Sequence, residues 1–163
     1  MEHLKTSDPV AFETTQSMWC QSGALAGKVI LVVDDSPEMT TLVADIFTAA
    51  GATVKQANCG SEAVLQIGGG EFDVLILDLS MPEISGYMIL RFLKRSHPEF
   101  LARTIVMTAT SPQDGQALAE VEKYQVASLF KPFAIARLVG TACRLVAPGK
   151  STSVAGVPQL TRH

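Results

Sequence analysis

The sequence predicts an α/β protein built on a doubly wound, five-stranded parallel sheet. Three observations support this fold class. Short aliphatic runs recur along the chain, and most are apolar at every position rather than at alternate positions. Such a strand is buried on both faces, as in a parallel sheet that helices cover. The segments between the runs show helical spacing, and strand and helix alternate five times, which favours right-handed crossovers and helices on both faces of the sheet.

Five segments are predicted as strands. Four are mainly apolar, and each is followed at once by a residue with a polar or charged side chain. The other alternates apolar and polar residues, and we expect it at an edge of the sheet. In chain order the predicted strands are 29–33, 52–57 (the alternating segment), 74–77, 104–107 and 127–130.

A predicted helix follows each strand. The first begins at Ser36, a good N-cap, with Pro37 in its first turn, and Gly51 ends it. The others are expected at 60–67, 85–95, 111–124 and from 135 onward. Three helices have a clear predicted inward face, which consists of Met39, Leu42, Val43, Ile46, Phe47 and Ala50 in the first, Met88, Ile89, Phe92 and Leu93 in the third, and Ile135, Leu138, Val139, Ala142 and Val146 in the fifth.

Composition excludes several classes of protein. The chain has 163 residues, of which 47% are hydrophobic, and a net charge of −3. Nucleic-acid binders need a basic excess, and disordered chains need low hydrophobicity, so neither class fits. Cys20, Cys59 and Cys143 are odd in number and far apart, so we expect neither a disulfide framework nor a zinc site. No apolar run suits a membrane span and no signal-peptide pattern is present, so a cytoplasmic location is expected.

The chain divides into three parts. Residues 1–27 form a mostly polar N-terminal extension, residues 28–147 carry the strand and helix pattern, and residues 148–163 are rich in Gly, Pro, Ser and Thr and read as a flexible tail. Neither flanking segment is long enough for a DNA-binding or enzymatic domain. We therefore expect output to pass through another protein.

Residues with reactive or charged side chains follow four of the predicted strands. Asp34 and Asp35 follow the first, Asp78 the third, Thr108 the fourth and Lys131 the fifth. The carboxyl ends of parallel strands share one edge of the sheet, and ligands of such sheets bind beyond that edge. We therefore expect these side chains to form one site.

The residue types at that edge point to phosphoryl transfer. Three carboxylates brought together need a cation, and hard oxygen ligands suit Mg²⁺. A lysine can hold a carboxylate or a phosphoryl oxygen as a point charge, and a threonine hydroxyl can donate to the same oxygen. A carboxylate nucleophile with these partners is typical of a phosphoryl-transfer site.

Residues 28–147 resemble the receiver domain of two-component response regulators. The matching segments are V-I-L-V-V-D-D-S-P at the first strand, V-L-I-L-D-L-S-M-P-E-I-S-G at the third, I-V-M-T-A at the fourth and L-F-K-P-F at the fifth. The resemblance implies the flavodoxin-like strand order 2-1-3-4-5. That order places the first and third strands side by side.

The resemblance also implies a metal site and a phosphoacceptor. Asp78 matches the residue that accepts a phosphoryl group from a histidine kinase or phosphotransfer protein. Asp34 and Asp35 match the acidic pair that binds Mg²⁺ or Mn²⁺, with Asp35 as the more direct ligand. Asp78 and the backbone carbonyl of Ser80 match the remaining protein ligands.

Two further positions match groups that contact the phosphoryl oxygens. Thr108 matches the hydroxyl that turns toward the phosphoryl group, and Lys131 matches its basic partner. The Lys131–Pro132 peptide bond is expected to be cis. A protein of this kind catalyses its own phosphorylation and dephosphorylation and is not a turnover enzyme.

One position departs from the family pattern. Receiver domains usually have an aromatic residue three positions before the lysine, where this chain has Ser128. Output through the fourth helix and fifth strand is therefore in doubt. The fifth helix is poor in charge, which fits either a well-covered helix or a docking face for a partner or for a second copy in a homodimer.

Two other functions share some of these residues. A Mg²⁺-dependent phosphatase of the haloacid dehalogenase type also uses Asp, Thr and Lys, but it needs a second acid where this chain has Ser80, and its acidic pair follows the lysine in sequence. A receiver-like interaction module that is never phosphorylated is the other alternative, and the complete set of five side chains argues against it.

Overall fold

The computed structural model describes residues 23–109 and 115–147. Most of the N-terminal extension, the whole C-terminal tail and the predicted start of the fourth helix at Ser111 lie outside the described residues. No helix within the described ranges is long and apolar enough to cross a membrane.

Five parallel strands form one sheet, and this confirms the predicted fold class. The strands are β1 (Val29–Val33), β2 (Thr53–Ala57), β3 (Val74–Asp78), β4 (Thr104–Thr108) and β5 (Ala127–Phe130). Their order is β2-β1-β3-β4-β5, and every neighbouring pair is parallel. The alternating strand β2 lies at an edge, as its pattern predicts. The fold is thus the flavodoxin-like arrangement.

Helices connect the strands at the predicted places. They are α1 (Pro37–Ala49), α2 (Gly60–Gly69), α3 (Gly86–Ser96), α4 (Gly115–Glu122) and α5 (Ile135–Val146). Ser36 caps α1 by accepting the N–H of Met39 at 3.3 Å, and Ser85 caps α3 in the same way with Met88. Gly70 ends α2 in the left-handed conformation, with a φ of 67°, which glycine adopts without steric cost.

A 3₁₀-helix at Pro98–Arg103 was not predicted. It is too short to show a helical repeat in the sequence, and packing holds it in place. Phe100 is buried in it and lies against Phe72, with the ring centroids 4.6 Å apart.

The sheet is covered on both faces. Helices α2, α3 and α4 pack on one face, and α1 and α5 pack on the other. Burying two aliphatic faces supplies most of the driving force for folding. The strand residues alternate between the two cores: Leu31, Val33, Leu75, Leu77 and Val106 belong to the first, and Ile30, Val32, Ile76, Ile105 and Met107 belong to the second.

The predicted inward face of α3 is wrong in part. Its buried residues are Gly86, Ile89, Leu90 and Leu93, which share one side of the helix at i, i+3, i+4 and i+7. Met88 lies on the outer side and is 49% exposed. The run 88–90 is apolar throughout, so the sequence pattern alone fits more than one helix face.

Two other helices bury a narrower stripe than predicted. Leu42 in α1 and Ile135 in α5 are half-exposed, although both lie in a predicted inward face. The buried residues of α1 include Thr40, which the hydrophobic pattern does not predict because threonine is polar. In α5 the central residues of the predicted stripe, Leu138, Val139 and Ala142, are buried, whereas Ile135 is the first residue of the helix and lies at its end.

Candidate functional site

The sheet brings the predicted acidic residues together at one edge. Asp34 directly follows β1, and Asp78 is the last residue of the adjacent strand β3. The register pairs Val33 with Leu77, so the two strands end at the same level. One carboxylate oxygen from each of Asp34, Asp35 and Asp78 lies within 4.8 Å of the others. These three carboxylates could therefore hold a metal ion together.

Asp34 and Asp35 lie in different environments. Asp34 is only 1% exposed, and both of its oxygens have partners: Oδ1 accepts the N–H of Ser36 at 2.9 Å, and Oδ2 accepts from Lys131 Nζ at 3.2 Å. Asp35 is exposed to solvent. A buried carboxylate needs such compensation, whereas an exposed one can exchange water for another ligand.

Asp78 is 4% exposed and has two opposing influences on its ionisation. Its Oδ1 accepts the N–H of Ser80 at 3.1 Å, and its Oδ2 lies 3.6 Å from Lys131 Nζ. Burial raises the pKa of Asp78 above its usual 3.8, and the charges of Asp34 and Asp35 raise it further, whereas the Ser80 N–H and Lys131 lower it. The site thus holds a buried carboxylate whose charge is costly and only partly compensated.

Thr108 and Lys131 complete this edge from the other side. Thr108 ends β4, is buried, and pairs in register with Phe130 of β5. The N–H of Lys131 donates to the carbonyl of Thr108 at 2.8 Å, so the backbone holds the two residues side by side. The Lys131–Pro132 peptide bond is cis. The structure therefore places all five predicted side chains at the carboxyl ends of β1, β3, β4 and β5.

The two predicted serines lie in different places. Ser80 is exposed, and its N–H contacts Asp78 as described above. Ser128 lies within β5 opposite Val106 and is half-buried. Tyr124, the aromatic residue nearest to it in the preceding segment, is buried in the core beneath α3 and α4, with Lys94 Nζ 5.6 Å from its ring centroid.

A glycine that packs against the backbone of Asp78 was missed by the sequence reasoning. Gly86, the first residue of α3, donates its N–H to the carbonyl of Leu79 at 3.1 Å. A Cβ on Gly86 would overlap the Asp78 carbonyl oxygen and lie 2.6 Å from Leu79 Cα. Only glycine lets the helix start so close to the strand end that holds Asp78. The available sequence signal was a glycine directly after the N-cap Ser85, a position where other residues are favoured.

Comparison with known proteins agrees with this geometry. The model of the response regulator receiver domain family matches residues 30–142. The chain is 31% identical over 114 residues to the chemotaxis protein CheY of Thermotoga maritima, and the match covers 69% of this chain and 92% of that protein. It is 38% identical over 90 residues to the transcriptional regulatory protein TcrA of Mycobacterium tuberculosis, covering 53% of this chain and 36% of TcrA.

Solved structures show the same fold. The signal receiver domain of a histidine kinase from Syntrophus aciditrophicus superposes with a TM-score of 0.68 at 26% identity, covering 80% of this chain and 98% of that one. The BeF3-activated receiver domain of DrrB, a Thermotoga maritima protein, gives a TM-score of 0.64 at 26% identity and covers 74% and 97%.

The matched segment is only about a third of the length of TcrA, whereas it is nearly all of the Thermotoga CheY. The family model matches well over half of the chain, and a relative of 31% identity is matched over more than two thirds of it, so this chain belongs to the response regulator receiver domain family of two-component signalling.

Proposed function

We propose that residues 28–147 work as a phosphorylatable receiver in a two-component phosphorelay, with Asp78 as the phosphoacceptor. One observation carries the proposal above all others. Asp78 is buried at the sheet edge with an N–H on one oxygen, a lysine near the other and two further carboxylates within 4.8 Å. A structural carboxylate has no need of two repelling neighbours, whereas a phosphoryl-transfer site uses them to hold a cation.

The transfer step follows from the chemistry of these groups. An oxygen of Asp78 attacks the phosphorus of a phosphohistidine on a histidine kinase or phosphotransfer protein. The new O–P bond forms as the P–N bond breaks, and the electron pair leaves on the imidazole nitrogen. The Ser80 N–H, 3.1 Å from Oδ1, fixes the plane of the carboxylate for this attack.

The donor set suits Mg²⁺ or Mn²⁺. Asp35 would be the exposed ligand, Asp34 and Asp78 would be the buried ones, and the backbone carbonyl of Ser80 would be the fourth protein ligand. When bound, the ion neutralises the negative charge that gathers between Asp78 and the incoming phosphoryl group.

Lys131 and Thr108 are proposed to bind the phosphoryl group after transfer. Phosphorylation adds about −1.5 to −2 charge at Asp78. Lys131 Nζ already lies 3.2 Å from Asp34 and 3.6 Å from Asp78, so it reaches that charge without a large movement. Thr108 ends the neighbouring strand and offers its hydroxyl to the same group. Their regrouping biases a two-state surface that other proteins read.

We propose that the output is contact with a downstream protein and that no small substrate is turned over. The proposed location is the cytoplasm. Receivers usually have an aromatic residue at the position of Ser128. The serine is smaller, so a change of rotamer at this position of β5 would alter the surface less than an aromatic ring would. The half-exposed Ile135 on α5 is the apolar residue that supports a homodimer through that helix.

The phosphatase alternative is not favoured. The family match is to receivers, and Ser80 offers an exposed hydroxyl where the phosphatase would need a second acid. An interaction module that is never phosphorylated remains the outcome that an experiment has to exclude.

The test is phosphorylation by a small phosphodonor with Mg²⁺, followed by intact mass and by NMR amide shifts with beryllofluoride. The wild type should gain one phosphoryl group, and amides of the site should shift. Asp78→Asn should show neither change, and Asp45→Asn, an exposed carboxylate on α1, should behave as wild type.

Three outcomes would contradict the proposal. A wild type that gains no phosphoryl group and shows no shift would favour the inert module. Phosphorylation that persists in Asp78→Asn would place the acceptor elsewhere. Steady release of phosphate from unrelated phosphomonoesters would favour the phosphatase.

A further inference from the structure

The outer side of α3 carries two parallel rows of side chains with different chemistry. Met88 and Phe92 form an apolar row at i and i+4, and Arg91 and Arg95 form a basic row beside it. These four residues and Ser96 line a surface groove of 490 Å³, the α3 groove. Met88, Arg91 and Arg95 lie on the side of the helix away from the buried residues, whereas Phe92 lies at the flank of the helix and also packs against the core, as its predicted inward position requires.

The apolar row is not fully covered by the chain. Met88 is 49% exposed, and Phe92 is half-buried, with its ring and that of His97 in an edge-to-face arrangement, 5.7 Å between centroids. A single exposed methionine is ordinary on a protein surface. Here the methionine continues into a second apolar side chain and a groove, and together they form an apolar strip that a partner could cover.

The basic row has no carboxylate partner in the described part of the chain. Arg91 and Arg95 are exposed, and no described acidic oxygen lies within 4.0 Å of either guanidinium. Helix α3 carries three cations and no acid, although the chain has a net charge of −3. The helix dipole favours cations in the last turn, which accounts for Lys94 and Arg95. It does not account for Arg91, one turn earlier and next to the exposed methionine.

We propose that the α3 groove docks an acidic amphipathic helix of a partner protein. Such a helix presents apolar residues at i and i+4 to Met88 and Phe92, and a row of carboxylates to Arg91 and Arg95. Arginine suits this role because its planar group binds a carboxylate with two hydrogen bonds. A nucleic acid would match the two arginines but would leave the apolar row without an apolar partner, and the net charge of the chain opposes it.

The proposal does not depend on phosphorylation of Asp78. The test therefore uses the unphosphorylated full chain without a phosphodonor, so a failure here leaves the receiver function untouched. The probe is a synthetic helix-favouring peptide with leucines at i and i+4 and glutamates along the adjacent row. It is titrated into isotope-labelled protein, with amide shifts read by NMR and affinity by calorimetry.

The expected shifts are centred on residues 88–96. The double variant Arg91→Glu with Arg95→Glu should weaken the peptide by about tenfold or more, because it replaces attraction by repulsion on both sides of the contact. The matched control is Arg137→Glu with Arg144→Glu on α5, which makes the same charge change on exposed residues beyond the opposite face of the sheet. It should stay within about twofold of wild type, because exposed charges at that distance are screened by salt.

A second variant separates docking from charge attraction alone. Met88→Ser should weaken the peptide although it changes no charge. The proposal is overturned if the peptide shifts amides elsewhere or shifts none, if both double variants lose affinity equally, or if Met88→Ser binds as wild type. It is also overturned if a single-stranded oligonucleotide binds residues 88–96 more tightly than the peptide does.

Discussion

The carboxyl edge of the sheet and the α3 groove each bring like charges together, three carboxylates in the first and two arginines in the second, but they differ in burial. Asp34 and Asp78 are almost fully buried, and each has a hydrogen-bond donor and a lysine within ion-pair distance. Arg91 and Arg95 are exposed and have no described carboxylate nearby. A buried charge must be compensated inside the chain, whereas an exposed charge is compensated by water. Contacts within the described chain therefore account for the charges of the carboxyl edge, but not for those of the α3 groove.

The two regions meet at Gly86. The same residue starts the helix that carries the groove and lies against the backbone of Asp78. Removing the lysine of the edge should therefore cost the most folding free energy, a change at the junction should cost slightly less, and a change in the groove should cost almost nothing. The following variants test this order.

The largest effect is expected for Lys131→Met. The lysine is 24% exposed and is the only described cation within 4.0 Å of Asp34 or Asp78. Its removal leaves two buried carboxylates facing each other, and we expect the free energy of unfolding to fall by about 3 kcal/mol at neutral pH without divalent metal. Urea denaturation measures it, and added Mg²⁺ should restore part of the loss.

The matched control is Lys55→Met. Lys55 also contacts a carboxylate, that of Glu71 at 3.1 Å, but both side chains are well exposed. An exposed pair contributes about 0–1 kcal/mol, so this variant should lose no more than that. Equal losses in the two variants would mean that burial does not distinguish the carboxyl edge.

The next largest effect is expected for Gly86→Ala. The new methyl group meets the backbone of Asp78 and Leu79, which cannot move aside as a flexible side chain would. Overpacking of this kind costs about 1–3 kcal/mol, and we expect about 2 kcal/mol in urea denaturation.

Gly68→Ala is the control for the glycine itself. Gly68 lies within α2, and a Cβ there meets nothing within 4 Å. Alanine is favoured over glycine by about 0.5–1 kcal/mol in the middle of a helix, and Gly68 lies in the last turn, so this variant should gain no more than that. A Gly86→Ala protein as stable as wild type would show that the strand end and α3 can separate without cost.

Much of the fold and of the edge site could be predicted because each has a signal within a short segment of the sequence. An aliphatic strand that ends in Asp34, Asp78 or Lys131 gives both the strand and the reactive residue in one segment. The side of α3 that faces the core could not be predicted, since the run 88–90 is apolar throughout and only contact with the sheet selects Ile89 and Leu90. The role of Gly86 could not be predicted either, because it depends on the end of β3, eight residues earlier in the chain.

A smaller effect with the opposite sign is expected for Asp78→Asn. The folded protein binds a proton on Asp78 more tightly than the unfolded chain does, because burial raises its pKa. At pH values between 3.8 and the raised pKa of the folded state, the native state binds more protons than the unfolded chain does. The contribution of protonated Asp78 to the free energy of unfolding is therefore complete below pH 3.8 and is lost as the pH rises through the folded pKa. At neutral pH the ionised carboxylate therefore destabilises the fold.

Asparagine removes that charge, and we expect a gain of about 1 kcal/mol at neutral pH without metal, or roughly 3–5 °C in Tm. The gain should shrink as the pH falls toward 4 in a series of thermal melts. A variant less stable than wild type at neutral pH would show that the pairing with Lys131 outweighs burial and repulsion.

The smallest effect is expected for Arg91→Gln with Arg95→Gln. Both side chains are exposed and neither contacts a described carboxylate, so their removal breaks no ion pair within the described chain. Arg95 lies in the last turn of α3, where the helix dipole favours a cation by about 0.3–1 kcal/mol, and salt screening keeps an exposed side chain at the low end of that range. Glutamine keeps the helix propensity of arginine, so the free energy of unfolding should fall by no more than about 0.5 kcal/mol. A loss near that of Lys131→Met in the same urea titration would mean that the two arginines stabilise the fold itself. In that case the groove would be part of the folded structure's own charge balance, and its basic row could not be assigned to a partner.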